Sequence, residues 1–279
     1  MRIPVTTLND GSDLPILGLG TYKLTGEEVG PVVRTAIELG YRHIDTASLY
    51  GNEAEVGKAI NDAITAGDVT REELVVTTKL WNDDQHRAGE AFQESLQRLG
   101  LEFIDIYLVH WPWPQRGLYA QAFESIVKLQ GTGQLRSVGV ANFYEAVLDD
   151  ILDTTGVVPV LNQIELHAGF TQPELRTYHA EKGIVTEAWA PLARGANFTA
   201  PEIVAVADKH GATPAQVVLA YLMALGCSVI PKTANPQRLV ENLGAVDVVL
   251  DRDDIATLDS VAGHRMSGDP REFPGSDAL

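Results

Sequence analysis

The chain has 279 residues, one cysteine (Cys227), and 21 basic against 38 acidic residues, a formal net charge of −17. Its hydrophobic share of 45% excludes disorder and fibrous repeats, and a lone cysteine excludes an internal disulfide. The negative balance repels nucleic acid and anionic membrane, so neither is expected as a partner. No apolar run opens the chain, and its longest apolar stretch, 217–230, is broken by Gly226 and Ser228. Neither an export signal nor a membrane span is therefore expected, and the expected location is cytoplasmic.

Residues 5–8 and 14–16, separated by Asn9-Asp10-Gly11, read as a β-hairpin that would close the bottom of a barrel. Short β-branched runs then alternate with helix-period segments. Strands are expected at 16–19, 42–45, 74–78, 104–110, 137–140, 160–165, 184–189 and 228–231. The helices expected between and after them span 27–39, 53–65, 87–99, 119–130, 144–154, 172–181, 200–210 and 237–243. Two more are expected at 214–224 and 251–261. Gly40, Gly100, Gly183 and Gly211 each follow a helical segment as a left-handed stop. Eight strand–helix units predict an α/β fold, a (β/α)₈ TIM barrel with an N-terminal hairpin and additional C-terminal helices, as one domain over 1–279. Gly18-Leu19-Gly20 starts like a dinucleotide fingerprint but lacks the third glycine and the helix that should come next, so it reads as a tight strand exit.

In such a barrel the chemistry lies at the C-terminal ends of the strands. Asp45, Lys79, His110, Asn142, Gln163, Trp189 and Lys232 all fall in or just after successive strands, with Tyr50 in the loop after the second. Singly, each has an ordinary structural reading: an ion pair, a core histidine, a loop tyrosine. Together they read as a site. A lysine at a barrel mouth needs a carboxylate beside it, which Asp45 on the adjacent strand would supply. A lysine cation near a phenol would lower its pKa from about 10 and make Tyr50 a general acid toward a carbonyl oxygen. His110 would orient the same oxygen.

The stretches Gly-Tyr-Arg-His-Ile-Asp-Thr-Ala (40–47), Tyr-Gly-Asn-Glu (50–53), Val-Val-Thr-Thr-Lys-Leu-Trp (75–81), Ile-Tyr-Leu-Val-His-Trp-Pro (106–112), Val-Gly-Val-Ala-Asn-Phe (138–143), Asn-Gln-Ile-Glu (162–165) and Ile-Pro-Lys-Thr (230–233) resemble the aldo-keto reductase superfamily over essentially the whole chain. The sequence is most similar to the bacterial 2,5-diketo-D-gluconate reductase-like branch. The resemblance implies an NAD(P)H-dependent carbonyl reductase whose catalytic tetrad is Asp45, Tyr50, Lys79 and His110. It also implies nicotinamide contacts from Asn142 and Gln163, ring stacking by Trp189, and an adenosine-phosphate pocket of Lys232, Thr233, Ala234, Arg238, Glu241 and Asn242. Lys232 and Arg238, two cations at a strand exit and helix start, favour NADP over NAD. Asn235 and Pro236 would start the helix after that pocket. Ala141 stands where many members carry Ser, so one carboxamide hydrogen bond is expected to be missing.

Tyr22, Leu49, Trp111 and Trp113, with Trp81, are expected to rim the substrate pocket, and the tail from Gly263 to wall one side, where His264 and Arg265 would meet an acidic substrate. The expected reaction reduces small aldehydes or ketones, 2,5-diketo-gluconate-like substrates among them, to alcohols in a monomeric, metal-free enzyme. Two rival readings are a cofactor-binding regulatory protein on the same fold and a barrel hydrolase or Schiff-base lyase.

Overall fold

The computed structural model describes residues 2–273. Strands β1 (Val5–Thr7) and β2 (Asp13–Pro15) pair antiparallel, with Gly11 at φ 86° in the turn. Leu8 and Leu14 of this hairpin are buried against Ile106, Leu108, Ala141 and Leu161, which plugs the floor of the barrel. The Asp10 carboxylate accepts a 2.6 Å hydrogen bond from the Ser137 hydroxyl and fastens the plug.

Eight parallel strands come next: β3 (Leu19–Gly20), β4 (His43–Asp45), β5 (Val75–Leu80), β6 (Ile104–Val109), β7 (Leu135–Ala141), β8 (Leu161–Glu165), β9 (Val185–Trp189) and β10 (Ser228–Val229). They neighbour one another in chain order. The barrel closes between first and last, where Gly18 N–H donates to Val229 O (2.9 Å), Val229 N–H to Ile16 O (2.9 Å) and Gly20 N–H to Pro231 O (3.2 Å). This seam accounts for the two glycines. A Cβ on Gly18 would lie 2.6 Å from the His43 ring, and one on Gly20 would lie 2.8 Å from Ile230 O. The expected strand exit is thus a closure of the barrel, where only glycine lets the last strand approach.

The outer layer comprises α1 (Val29–Leu39), α2 (Glu53–Ala66), α3 (Ala88–Leu99), α4 (Tyr119–Val127), α5 (Glu145–Thr155), α6 (Pro173–Lys182), α7 (Pro201–His210), α8 (Pro214–Ala224), α9 (Pro236–Leu243) and α10 (Arg252–Asp259). The glycine stops hold: Gly40, Gly100, Gly183 and Gly211 all have φ between 59° and 103°. The segment 27–39 starts as a helix two residues late and 87–99 one residue late, because 3₁₀ turns (Gly26–Glu28 and Asn82–Arg87) occupy their approaches. Helix α8 is buried on most of its circumference, which explains its continuous apolar sequence. Among the described residues no helix is long and apolar enough to cross a membrane.

Candidate active site

Side chains two residues apart on a strand share a face, so His43 and Asp45 on β4, Thr77 and Lys79 on β5, Gln163 and Glu165 on β8, and Glu187 and Trp189 on β9 form same-face pairs. The contacts among them place these faces inside the barrel. Lys79 is fully buried. Its Nζ donates to both Asp45 carboxylate oxygens at 2.7 Å and to Thr46 O at 2.8 Å, so all three ammonium hydrogens have partners. Burial drives the Asp45 carboxyl upward, and the Lys79 charge opposes that shift.

Tyr50 ends a 3₁₀ turn (Ser48–Tyr50) whose closing Gly51 has φ 65°. The Lys79 ammonium is 5.1 Å from the Tyr50 ring centroid, and the rings of Tyr22 and His110 lie 5.1 and 5.9 Å away. The structure therefore brings Asp45, Tyr50, Lys79 and His110 together. It corrects one electrostatic expectation. Burial, followed by the charge of Asp45, raises the Tyr50 phenol well above 10, where the sequence alone predicts that Lys79 lowers it. Lys79 points its hydrogens at Asp45 and Thr46, and its charge is largely compensated there. His110, directly after β6, is buried with Nδ1 unpartnered. Burial and the nearby Lys79 push it well below 6.5, which keeps the ring neutral with a single N–H.

Asn142 sits just past β7 in a left-handed conformation (φ 62°), which asparagine tolerates better than most residues. Its Nδ2 donates to His110 O (2.9 Å), and its Oδ1 accepts from the half-buried Trp189 indole (2.9 Å). Gln163 Nε2 donates to Asp45 Oδ2 (2.8 Å) and to Glu187 Oε2 (2.7 Å). Asn142 and Trp189 thus form one bonded edge beside His110, and Gln163 ties into Asp45 of the cluster. At the seam, Lys232, Thr233, Ala234, Asn235, Gln237 and Arg238 line a cavity of about 470 Å³ with Pro236. The Asn235 side chain caps α9 through Gln237 N (2.8 Å), as the Asn-Pro pair predicts. Among the described residues neither Lys232 nor Arg238 is ion-paired. Two free cations over a hydroxyl and a helix start suit a phosphate-bearing cofactor, and the side chains of Asn142, Gln163 and Trp189 suit a planar amide. Glu241 and Asn242 lie a turn further along α9 and do not line that cavity.

Trp81, Trp111 and Phe273 form an aromatic cluster with Leu49 and Trp189 packed against it. Phe273 stacks on Trp111 with ring centroids 4.1 Å apart, so the tail does cover this side. The tail is held by Glu165, whose carboxylate accepts from the backbone N–H groups of Met266 (2.6 Å) and Ser267 (3.0 Å), the Ser267 hydroxyl and His167. Trp113 lies outside the cluster, under the Arg116 guanidinium. Arg265 faces Phe170 and lines a separate cavity of about 550 Å³, which shares Asn142 with the site but none of the four clustered residues. Glu187, His43 and Phe273 do not stand out in the sequence. The first two share the inward register of Trp189 and Asp45, the one signal that marks them.

The aldo/keto reductase family pattern matches residues 16–262. Methylglyoxal reductase DkgA of Salmonella typhimurium is 46% identical over 276 residues, covering 97% of this chain and 98% of that protein. An aldo-keto reductase of Mycolicibacterium smegmatis is 43% identical over 273 residues, covering 97% and 98%. Among solved structures, a Gox0644 mutant in complex with NADPH superposes with a TM-score of 0.91 at 41% identity, covering 97% of this chain and 98% of that one. A Bombyx mori aldo-keto reductase in complex with NADP superposes with a TM-score of 0.90 at 35% identity over 99% of each. With its barrel, the strand-end cluster and a family match over most of its length, the chain belongs to the aldo/keto reductase family.

Proposed function

We propose that this chain is an NADPH-dependent reductase of small aldehydes and ketones. The observation that carries the reading is the buried Lys79–Asp45 pair beside Tyr50 and His110, flanked by the amides of Asn142 and Gln163. The NADPH and NADP complexes of its structural neighbours support the choice of cofactor. Lys232 and Arg238 would hold the adenosine phosphate, Asn142 and Gln163 the carboxamide, and Trp189 the ring face. Bound NADPH supplies a hydride from nicotinamide C4.

The chain's own residues do the rest. The neutral His110 ring donates its N–H to the substrate carbonyl oxygen and fixes its direction. Tyr50, whose raised pKa keeps the phenol protonated, gives its proton as negative charge grows on that oxygen. Lys79, held by Asp45 and 5.1 Å from the Tyr50 ring centroid, is the cation beside the phenolate left behind. The cluster of Trp81, Trp111 and Phe273 screens the oxygen from water. The name of the DkgA relatives, methylglyoxal reductase, favours a small dicarbonyl substrate. The Schiff-base reading is disfavoured because every Lys79 hydrogen is engaged by Asp45 or Thr46.

The test is NADPH oxidation with methylglyoxal and a panel of sugar ketones and keto acids. Tyr50→Phe is expected to keep NADPH affinity within about threefold and to lose kcat by about a hundredfold or more. A Tyr50→Phe enzyme with near-normal kcat would remove Tyr50 from the mechanism.

A further inference from the structure

Below the tetrad the barrel interior holds a second acid that carbonyl reduction does not use. Glu187 is fully buried on β9, two residues before Trp189. Strand register aligns Gln163, Glu187 and Ser228 across β8, β9 and β10. Glu187 Oε2 accepts from Gln163 Nε2 at 2.7 Å, and Oε1 accepts from the Ser228 hydroxyl at 3.2 Å. The unpartnered Nδ1 of His43 lies 3.6 Å from Oε1, while its Nε2 meets the Thr77 hydroxyl at 3.0 Å.

We propose that Glu187 is a positioning residue for Gln163, taking one of its two amide hydrogens so that the amide oxygen is the group left to receive the carboxamide of a bound nicotinamide. This rests on the proposed role of NADPH. A glutamine amide has two orientations of nearly the same shape, and only its neighbours choose between them. Here the neighbours are two carboxyl groups, Asp45 at 2.8 Å and Glu187 at 2.7 Å, and together they engage both N–H bonds. A half-turn of the amide would set its oxygen against both. Without Glu187, one hydrogen is free and Asp45, already shared with Lys79, is the only guide left.

The groups facing Glu187 are His43 and Asp45 from β4, Lys79 from β5, Gln163 from β8 and Ser228 from β10. One ammonium cannot neutralise two carboxylates in this interior, and burial raises Glu187 accordingly. Glu187 accepts from Gln163 through Oε2 and from Ser228 through Oε1, with His43 Nδ1 facing Oε1. A glutamine at this position keeps the volume and an acceptor toward Gln163, with its NH₂ on the His43 side. A methionine keeps the volume and removes the acceptor.

Binding of NADPH and of adenosine 2′,5′-bisphosphate, which has no nicotinamide, is read by tryptophan fluorescence on wild type, Glu187→Met, Glu187→Gln, Gln163→Ala and the Glu187→Met/Gln163→Ala double variant. Melting curves check that each variant folds. Glu187→Met is expected to weaken NADPH about tenfold and leave the bisphosphate within about twofold. Glu187→Gln is expected to bind both within about threefold of wild type, and the double variant to bind NADPH no more weakly than Gln163→Ala alone. Additive losses in the double variant, an equal loss of the bisphosphate, or Glu187→Gln as impaired as Glu187→Met would overturn the proposal. A wild type that binds neither ligand would fail the cofactor reading and take this proposal with it, a pattern distinct from the other three.

Discussion

Lys79 and Arg238 carry the same charge into opposite settings, and the setting decides what each can do. The Lys79 ammonium is sealed in the barrel and gives all three hydrogens to Asp45 and Thr46, so its field is local and its position fixed. Arg238 is exposed at the start of α9 beside Thr233, and among the described residues it has no carboxylate partner. A guanidinium in that position can take a phosphate in a bidentate grip. If it holds the 2′-phosphate of NADPH, Arg238→Ala raises the NADPH dissociation constant about tenfold or more and leaves that for NADH within about twofold. Parallel titrations with the two cofactors check this, and equal losses for both would place Arg238 elsewhere on the ligand or off it.

Helix α2 shows how an element far from the chemistry holds it in place. It begins three residues after Tyr50 and crosses the C-terminal end of α3, where Gly57 has no room for a side chain. A Cβ there would lie 1.9 Å from Leu99 O. Gly57→Ala must push the two helices apart, so a loss of about 1–3 kcal/mol or more in unfolding free energy is expected, with kcat falling as the Tyr50 loop shifts. Gly89, in the first turn of α3, has nothing within 4 Å of a built Cβ, and Gly89→Ala is expected to stabilise by about 0.5–1 kcal/mol. Urea titration of the two variants separates the cases. A neutral Gly57→Ala would mean that the helix crossing relaxes without cost.

The same elements show what sequence reveals and what it withholds. Strand-end residues such as Asp45, Lys79 and His110 stand out because a polar residue closing a β-branched run is rare and each falls at an equivalent place in its unit. Glu187 and His43 obey the same period of two but lie inside their strands, where pattern alone does not tell the barrel interior from the helix layer. Gly57 looks like any weak helix residue until the approach of Leu99 O is seen. Phe273 comes after a run with no periodicity, so its stacking on Trp111 depends on the path of the tail over Glu165.

Across the whole molecule, the excess of acidic residues governs the surface, but the buried histidines contribute to the response to acid. Burial pushes His43 down to about 4 and His179 down to about 3, and His110 lies well below 6.5. His179 meets Asn162 Nδ2 at 2.9 Å through Nε2 and the Thr186 hydroxyl at 2.9 Å through Nδ1. Asn162 Nδ2 is a donor, so Nε2 must be unprotonated, and the ring is neutral. The folded state then binds fewer protons than the unfolded chain from about pH 6.5 down to about pH 3. The stability contributed by His179 is complete above pH 6.5 and is lost as the pH falls toward the folded value. Asp45 and Glu187, whose folded values are raised, have the opposite slope and partly mask this in the wild type. His179→Gln removes a single titrating group while keeping a donor and an acceptor. Melting temperatures measured from pH 8 to pH 4 are expected to show His179→Gln well below wild type at pH 8, with the gap narrowing steadily below pH 6.5. A gap that stays constant across this range would mean that His179 enters the folded state with its proton.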